Sequence, residues 1–187
     1  MDAIIISGMS AVGKTTVSKM VAEKLSLKVV GGGEVLKEMA VEQGFTPGGE
    51  DWWDTGEGMR FLRRRKRSSG FDKDVDERLL EKARLGNVVI TSYTLPWLSQ
   101  WGVKVWLSGS VASRARRMAK RDHAEFEECR KVLSVRDLEN HALYRKLYEI
   151  DFGRDLGPFD LVVDTDSIDE SRVAAVVLRY VSNMPKR

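Results

Sequence analysis

The eight residues Gly8–Thr15, "GMSAVGKT", follow directly on the apolar run "AIIIS" (Ala3–Ser7) and fix the first unit of the fold. They carry the pattern G-x-x-x-x-G-K-[ST]. In such a loop the backbone N–H groups from Gly8 through Ser10, Ala11, Val12 and Gly13 to Lys14 converge on phosphate oxygens, with the positive end of the next helix behind them. The spacing sends Lys14 to the β- and γ-phosphates of ATP and offers the Thr15 hydroxyl, next to Thr16, as a ligand for Mg²⁺. By itself the motif can be a glycine-rich turn without a ligand. Here an apolar strand precedes it and "KTTVSKMVAEKL" follows it as an amphipathic helix, which is the context a nucleotide-binding loop needs.

Working outward, short β-rich runs recur at Ala3–Ser7, Leu27–Val30, Val88–Ser92, Val103–Leu107 and Asp160–Asp164. Helical periodicity predicts helices over Lys14–Leu25, Glu34–Gln43, Asp74–Leu85, Val111–Arg121, Glu125–Tyr148 and Ile168–Ser182. Strands separated by helices of this length indicate an α/β fold with a parallel sheet covered on both faces. In open sheets of this kind ligands bind beyond the carboxyl ends of the strands, so chemistry is sought there. Two stretches fit the sheet poorly, residues 44–71 and 122–157. The expectation is one domain with a core over 1–43, 72–121 and 158–187, an acceptor-binding insert near 44–71 and a helical lid near 122–157.

Bulk composition bounds the remaining choices. The chain has 187 residues, 42% of them hydrophobic, and a net charge of +3, which suits one well-buried core. No apolar run approaches the ~18 residues of a membrane span. The single cysteine suits a reducing compartment, and the acidic start "MDAIII" shows no signal peptide, so a cytoplasmic protein, monomeric and without a membrane partner, is expected. His123, Cys129 and His141 are too few and scattered for a zinc site, and no N-K-x-D guanine-reading motif is present.

Candidate residues cluster after the strands. Glu34 opens a helix after three glycines, where a carboxylate could hold a metal-bound water or simply complement the helix N-terminus. Lys37 shares its face. Arg114, Arg117 and Arg121 align on one face after the fourth strand, either as a solvated basic face or as fixed guanidinium groups for a transferring phosphoryl. Asp72 and Asp76 could read the amino group of an acceptor base or serve as helix-start acids. The run "RFLRRRKR" (Arg60–Arg67) is either a solvated face, a nucleic-acid patch or a phosphate clamp in which Arg60, Arg63 and Arg64 reach an acceptor. Trp52 and Trp53 are stacking platforms or hydrophobic anchors.

The order "ISG…GKTT…AEKLSLKVV.GG", "FDKDVDERLLEKARLGNVV", "VKVWL…RARRMAKRD", "LYRKLYEIDF…FDLVVDT" resembles the nucleoside monophosphate kinases, and within them the archaeal-type cytidylate kinases, over most of the chain. The resemblance implies a three-layer α/β/α P-loop kinase with a five-stranded parallel sheet, ATP·Mg²⁺ as donor, and a small nucleotide acceptor, most simply CMP or dCMP. It implies that Gly13, Lys14 and Thr15 bind donor phosphates, that Arg117 and Arg121 stack on the donor base and clamp phosphates, and that the lid supplies Arg136. Two departures concern the acceptor: "TSY" puts Thr91 and Tyr93 where the family usually has an acid and an arginine, and Lys37 stands where an arginine is common. Either the cations at Arg60–Arg67 substitute or the acceptor differs. A rival from another class is an ATP-dependent RNA-associated protein gripping RNA through Arg60–Arg67.

Overall fold

A computed structural model describes residues 1–48, 57, 60, 61 and 70–184. Five strands form one parallel sheet: β1 (Ile4–Gly8), β2 (Lys28–Gly31), β3 (Val88–Thr91), β4 (Val103–Ser108) and β5 (Leu161–Asp164), in the order β2-β3-β1-β4-β5. The five-stranded parallel α/β architecture expected from the sequence is the one found. β1 is central, pairing Ile4 with Val89 of β3 on one side and with Val103 of β4 on the other.

Period-two alternation along β1 sends its side chains to two cores. Ala3 and Ile5 join Val35, Met39, Phe71, Leu79 and Ile90 under α2 (Gly32–Glu42) and α3 (Phe71–Leu85). Ile4 and Ile6 join Val17, Val21, Val105, Leu107, Val163, Val173 and Val177 under α1 (Lys14–Leu25) and α7 (Glu170–Ser182). Between them in sequence lie α4 (Leu95–Leu98), α5 (Val111–Asp122) and α6 (Phe126–Tyr148). Among the described residues no helix is long and apolar enough to cross a membrane.

Helix ends follow local chemistry. The Ser110 hydroxyl caps α5 by accepting from Ser113 N at 3.2 Å, and the Asp169 carboxylate caps α7 by accepting from Arg172 N at 2.8 Å. α2 begins at Gly32 rather than at the expected Glu34, because the Glu34 side chain reaches back to the Gly31 amide at 3.0 Å and holds the two glycines helical. α3 begins at Phe71 rather than Asp74, with Asp72 and Asp74 inside its first turn, where acids favour the helix dipole. α4 was not expected from the sequence.

Two smaller clusters position the site. Ala115 and Met118 of α5 pack on Cys129 and Leu133 of α6, tying the long helix to the one beneath it. Beyond α6 the chain returns to the sheet, where Ile150, Phe152 and Trp106 are buried against Tyr93, Trp97, Tyr144 and Phe159. Of the expected insert, Phe61 is fully buried, edge-on to Phe45 and Phe71 at ring separations of 5.5 and 5.4 Å. Trp52, Trp53, Arg63 and Arg64 lie outside the described residues.

Candidate active site

The loop after β1 takes its shape from two glycines. Gly8 has φ +149°, and a Cβ there would lie 2.5 Å from the Leu107 carbonyl oxygen, so only glycine lets the loop leave the sheet between β1 and β4. Gly13 caps α1 at φ 102°, in the left-handed region. Between them Ser10, Ala11, Val12 and Gly13 wrap the N-terminus of α1 and line a cleft of about 860 Å³, together with Lys14, Thr15 and Thr16.

Lys14 is the electrostatic centre of this wall. Its Nζ donates to the carbonyl oxygens of Gly8 and Met9, both at 2.8 Å, and lies 4.5 Å above the Tyr93 ring. Burial pushes its pKa down to about 7, with the Arg114 guanidinium adding to the shift and the Asp137 carboxylate opposing it. The ammonium is therefore parked on its own loop in a place that disfavours its charge, which an incoming phosphate would restore.

Arg117, Arg121 and Arg136 line the same cleft. Arg117 donates to the Thr165 hydroxyl at 3.0 Å and to the Thr165 carbonyl oxygen, which fixes it against the end of β5. Arg121 is held by the neighbouring Asp122 through two bonds of 2.6 and 2.7 Å. Arg136 enters from α6. Three guanidinium groups on two helices thus face a loop of amide donors, a combination suited to a polyphosphate. Thr165, Ile168, Asp169 and Val173 complete the wall. They escaped sequence reading because their role depends on where β5 ends beside the loop, and no motif marks them.

The expected acceptor residues divide. Tyr93 lines the cleft; its hydroxyl is 3.2 Å from Ser10 Oγ and its carbonyl oxygen accepts from Ser7 Oγ at 3.2 Å, so it joins the donor loop to the aromatic cluster. Asp76 is 9% exposed and accepts from Thr94 Oγ1 at 2.7 Å and Tyr148 Oη at 2.6 Å, bonds that cross from α3 to α4 and α6. Both carboxylate oxygens of Asp76 therefore take part in the packing of these elements. Tyr148 is in turn raised above the ordinary tyrosine range, by burial and by this carboxylate. Glu34 serves as the cap described above, and Lys37 Nζ donates to Gly48 O at 3.4 Å. Neither these two residues nor Asp72 line the cleft around the loop. Arg60 is exposed.

The donor set fits magnesium in one respect. No group of three or more His, Cys, Asp or Glu that could hold a metal occurs among the described residues. Mg²⁺, however, keeps most of its water and is commonly held by one or two protein groups plus substrate phosphates. Thr15, with its side chain on the cleft, supplies such a group; Glu34, engaged at Gly31, is less well placed for it.

Comparison with known proteins follows the same lines. The sequence model of the cytidylate kinase-like family matches residues 3–167. The chain is 31% identical to the cytidylate kinase of Pyrococcus horikoshii over 182 residues, covering 97% of this chain and 88% of that one. It is also 31% identical to the cytidylate kinase of Methanocaldococcus jannaschii over 188 residues, covering 98% and 99%. In fold it resembles the shikimate kinase of Bacteroides thetaiotaomicron, with a TM-score of 0.61 at 19% identity over 98% of this chain and 99% of the other. The chain is a P-loop phosphotransferase, and it belongs to the cytidylate kinase-like family.

Proposed function

We propose that this kinase transfers the γ-phosphoryl group of ATP, with Mg²⁺, to CMP or dCMP. The observation that carries the reading is the cleft itself, in which the Gly8–Thr15 loop faces Arg117, Arg121 and Arg136. Full-length similarity to archaeal cytidylate kinases supports the choice of acceptor. No covalent enzyme intermediate is needed: a loose phosphoryl transition state asks for alignment and charge, and these residues supply both. The loop amides hold the β-phosphate, Lys14 leaves the Gly8 and Met9 carbonyls to meet the β- and γ-oxygens, and the arginines neutralise charge on the equatorial oxygens. Thr15 would hold Mg²⁺, which would supply positive charge to offset that of the donor phosphates. Protein in the cytoplasm with a small-molecule partner accords with this chemistry.

One observation favours a second reading, a different small acceptor. Tyr93 brings a neutral phenol to the acceptor end of the cleft, already engaged with Ser10 and Lys14. Each nucleoside monophosphate and a set of small hydroxyl acceptors, incubated with ATP·Mg²⁺ while ADP is followed, separates the two. CMP and dCMP are expected to turn over well above AMP, GMP and UMP; turnover confined to a non-nucleotide acceptor would replace the first reading by the second.

A further inference from the structure

Arg114 differs from the other two arginines of its helix face. It is 2% exposed, and all three of its guanidinium nitrogens donate inward. Its Nε donates to the Gly109 carbonyl oxygen at 3.0 Å, in the turn between β4 and α5. Its Nη1 donates to the Ser10 carbonyl oxygen at 3.1 Å, inside the phosphate loop. The same fork grips Asp137 of α6, Nη1 to Oδ1 at 3.1 Å and Nη2 to Oδ2 at 2.7 Å. One guanidinium thus ties together the end of β4, the nucleotide loop and the long helix. Asp137 is followed backwards in sequence by Arg136, the α6 residue that lines the cleft.

We propose that Arg114 and Asp137 form a positioning latch that sets the rotation and height of α6 over the phosphate loop and thereby aims Arg136 at the transferring phosphoryl group; this rests on the kinase reading above. The bidentate pairing carries the argument. A fork-to-fork contact fixes orientation as well as distance, which a hydrophobic contact between α5 and α6 does not. Ala115, Met118, Cys129 and Leu133 hold the two helices together; they leave sliding and rotation of α6 cheap by comparison. Anchoring Asp137 removes that freedom one residue from Arg136. Because the same guanidinium also holds Ser10 O, loop and helix are referred to a single point.

The test is a double-mutant cycle on turnover with ATP·Mg²⁺ and CMP, joining Asp137→Asn to Arg136→Ala. Asp137→Asn keeps shape and one acceptor, and kcat is expected to fall by about 100-fold, as for a misplaced catalytic group, while the ATP Kd changes little. If the latch acts through Arg136, adding Arg136→Ala to Asp137→Asn costs only a small further factor. Multiplying effects would overturn the proposal, since they mean that the two residues act separately. A second variant, Arg114→Met/Asp137→Leu, leaves no buried charge alone and so protects the fold. It should melt near wild type yet keep the turnover defect; recovery of wild-type kcat would show that the pair only stabilises and would also overturn the proposal. Wild-type turnover with CMP controls for the underlying reading: if CMP is not used, that reading fails, and the same cycle is run on ATP hydrolysis, where coupling between positions 136 and 137 still decides the latch.

Discussion

The phosphate loop and the region beyond Tyr93 are built from different materials. In the phosphate loop, Gly8–Thr15, the backbone amides take their placement from two glycines and the start of α1, and the one charged side chain, Lys14, folds back onto the Gly8 and Met9 carbonyls. Beyond Tyr93 lie an aromatic cluster and a buried carboxylate, Asp76, whose oxygens are bonded to Thr94 and Tyr148. The first region can lose side chains without losing its shape. The second holds its shape through side chains. Substitutions in the phosphate loop should therefore appear in turnover, and those beyond Tyr93 in stability.

The sharpest way to break this contrast is Lys14→Ala. The ammonium sits where burial disfavours its charge, so its removal should leave the melting temperature within a few degrees of wild type while kcat falls by about a thousandfold, the scale of losing a fixed cation at a phosphoryl transition state. Turnover near wild type would remove the loop mechanism. Asp76→Ala should behave in the opposite way. Taking the acceptor from the buried Thr94 hydroxyl and the half-buried Tyr148 hydroxyl costs roughly 2 kcal/mol of folding stability, read as a lower urea midpoint. A variant that melts normally but has lost only its affinity for CMP would place Asp76 in the acceptor site.

Arg121→Ala tests the donor assignment more gently. Arg121 is largely exposed and already paired with Asp122, so the expected rise in KM for ATP is about tenfold. The effect should be the same with every acceptor; a change confined to the acceptor's KM would move Arg121 to the other end of the cleft. The smallest effect concerns protons. Lys14 lies near 7 in the free protein, and phosphate oxygens favour its charged form. ATP binding at about pH 8 should thus take up a fraction of a proton, whereas at about pH 6 Lys14 is charged in both states and its uptake vanishes. Calorimetry in buffers of different ionisation enthalpy measures this directly. Uptake that does not shrink toward low pH would point to another group.

How much of this was legible beforehand depended on how local each feature is. Sheet, layers and phosphate loop follow from alternation, periodicity and one motif, all of which act within a dozen residues. The short helix Leu95–Leu98, "LPWL", escaped because four residues around a proline show no period. The start of α2 escaped because Gly32 and Gly33 are poor helix formers, overridden by a single carboxylate bond from Glu34. Arg114 looked like one of three equivalent arginines until the partner 23 positions away, Asp137, came into view. Spacing placed Arg114 on the right face; it could not show that the residue turns inward while Arg121 stays in solvent. Sequence alone does not separate a base reader from a helix-start acid at Asp76, because its partner Tyr148 lies 72 residues on.

The seam between α5 and α6 has an experimental consequence. Cys129, the chain's one cysteine, lies in that seam, 2% exposed against Ala115, Met118 and Leu133. A thiol buried there meets a water-borne reagent only when the two helices part. Its alkylation rate is consequently a clock for that opening, read without any introduced label and without turnover. Where nucleotide draws α6 down onto the phosphate loop the clock slows, and the ratio of the two rates gives the free energy that the bound donor contributes to closing the cleft.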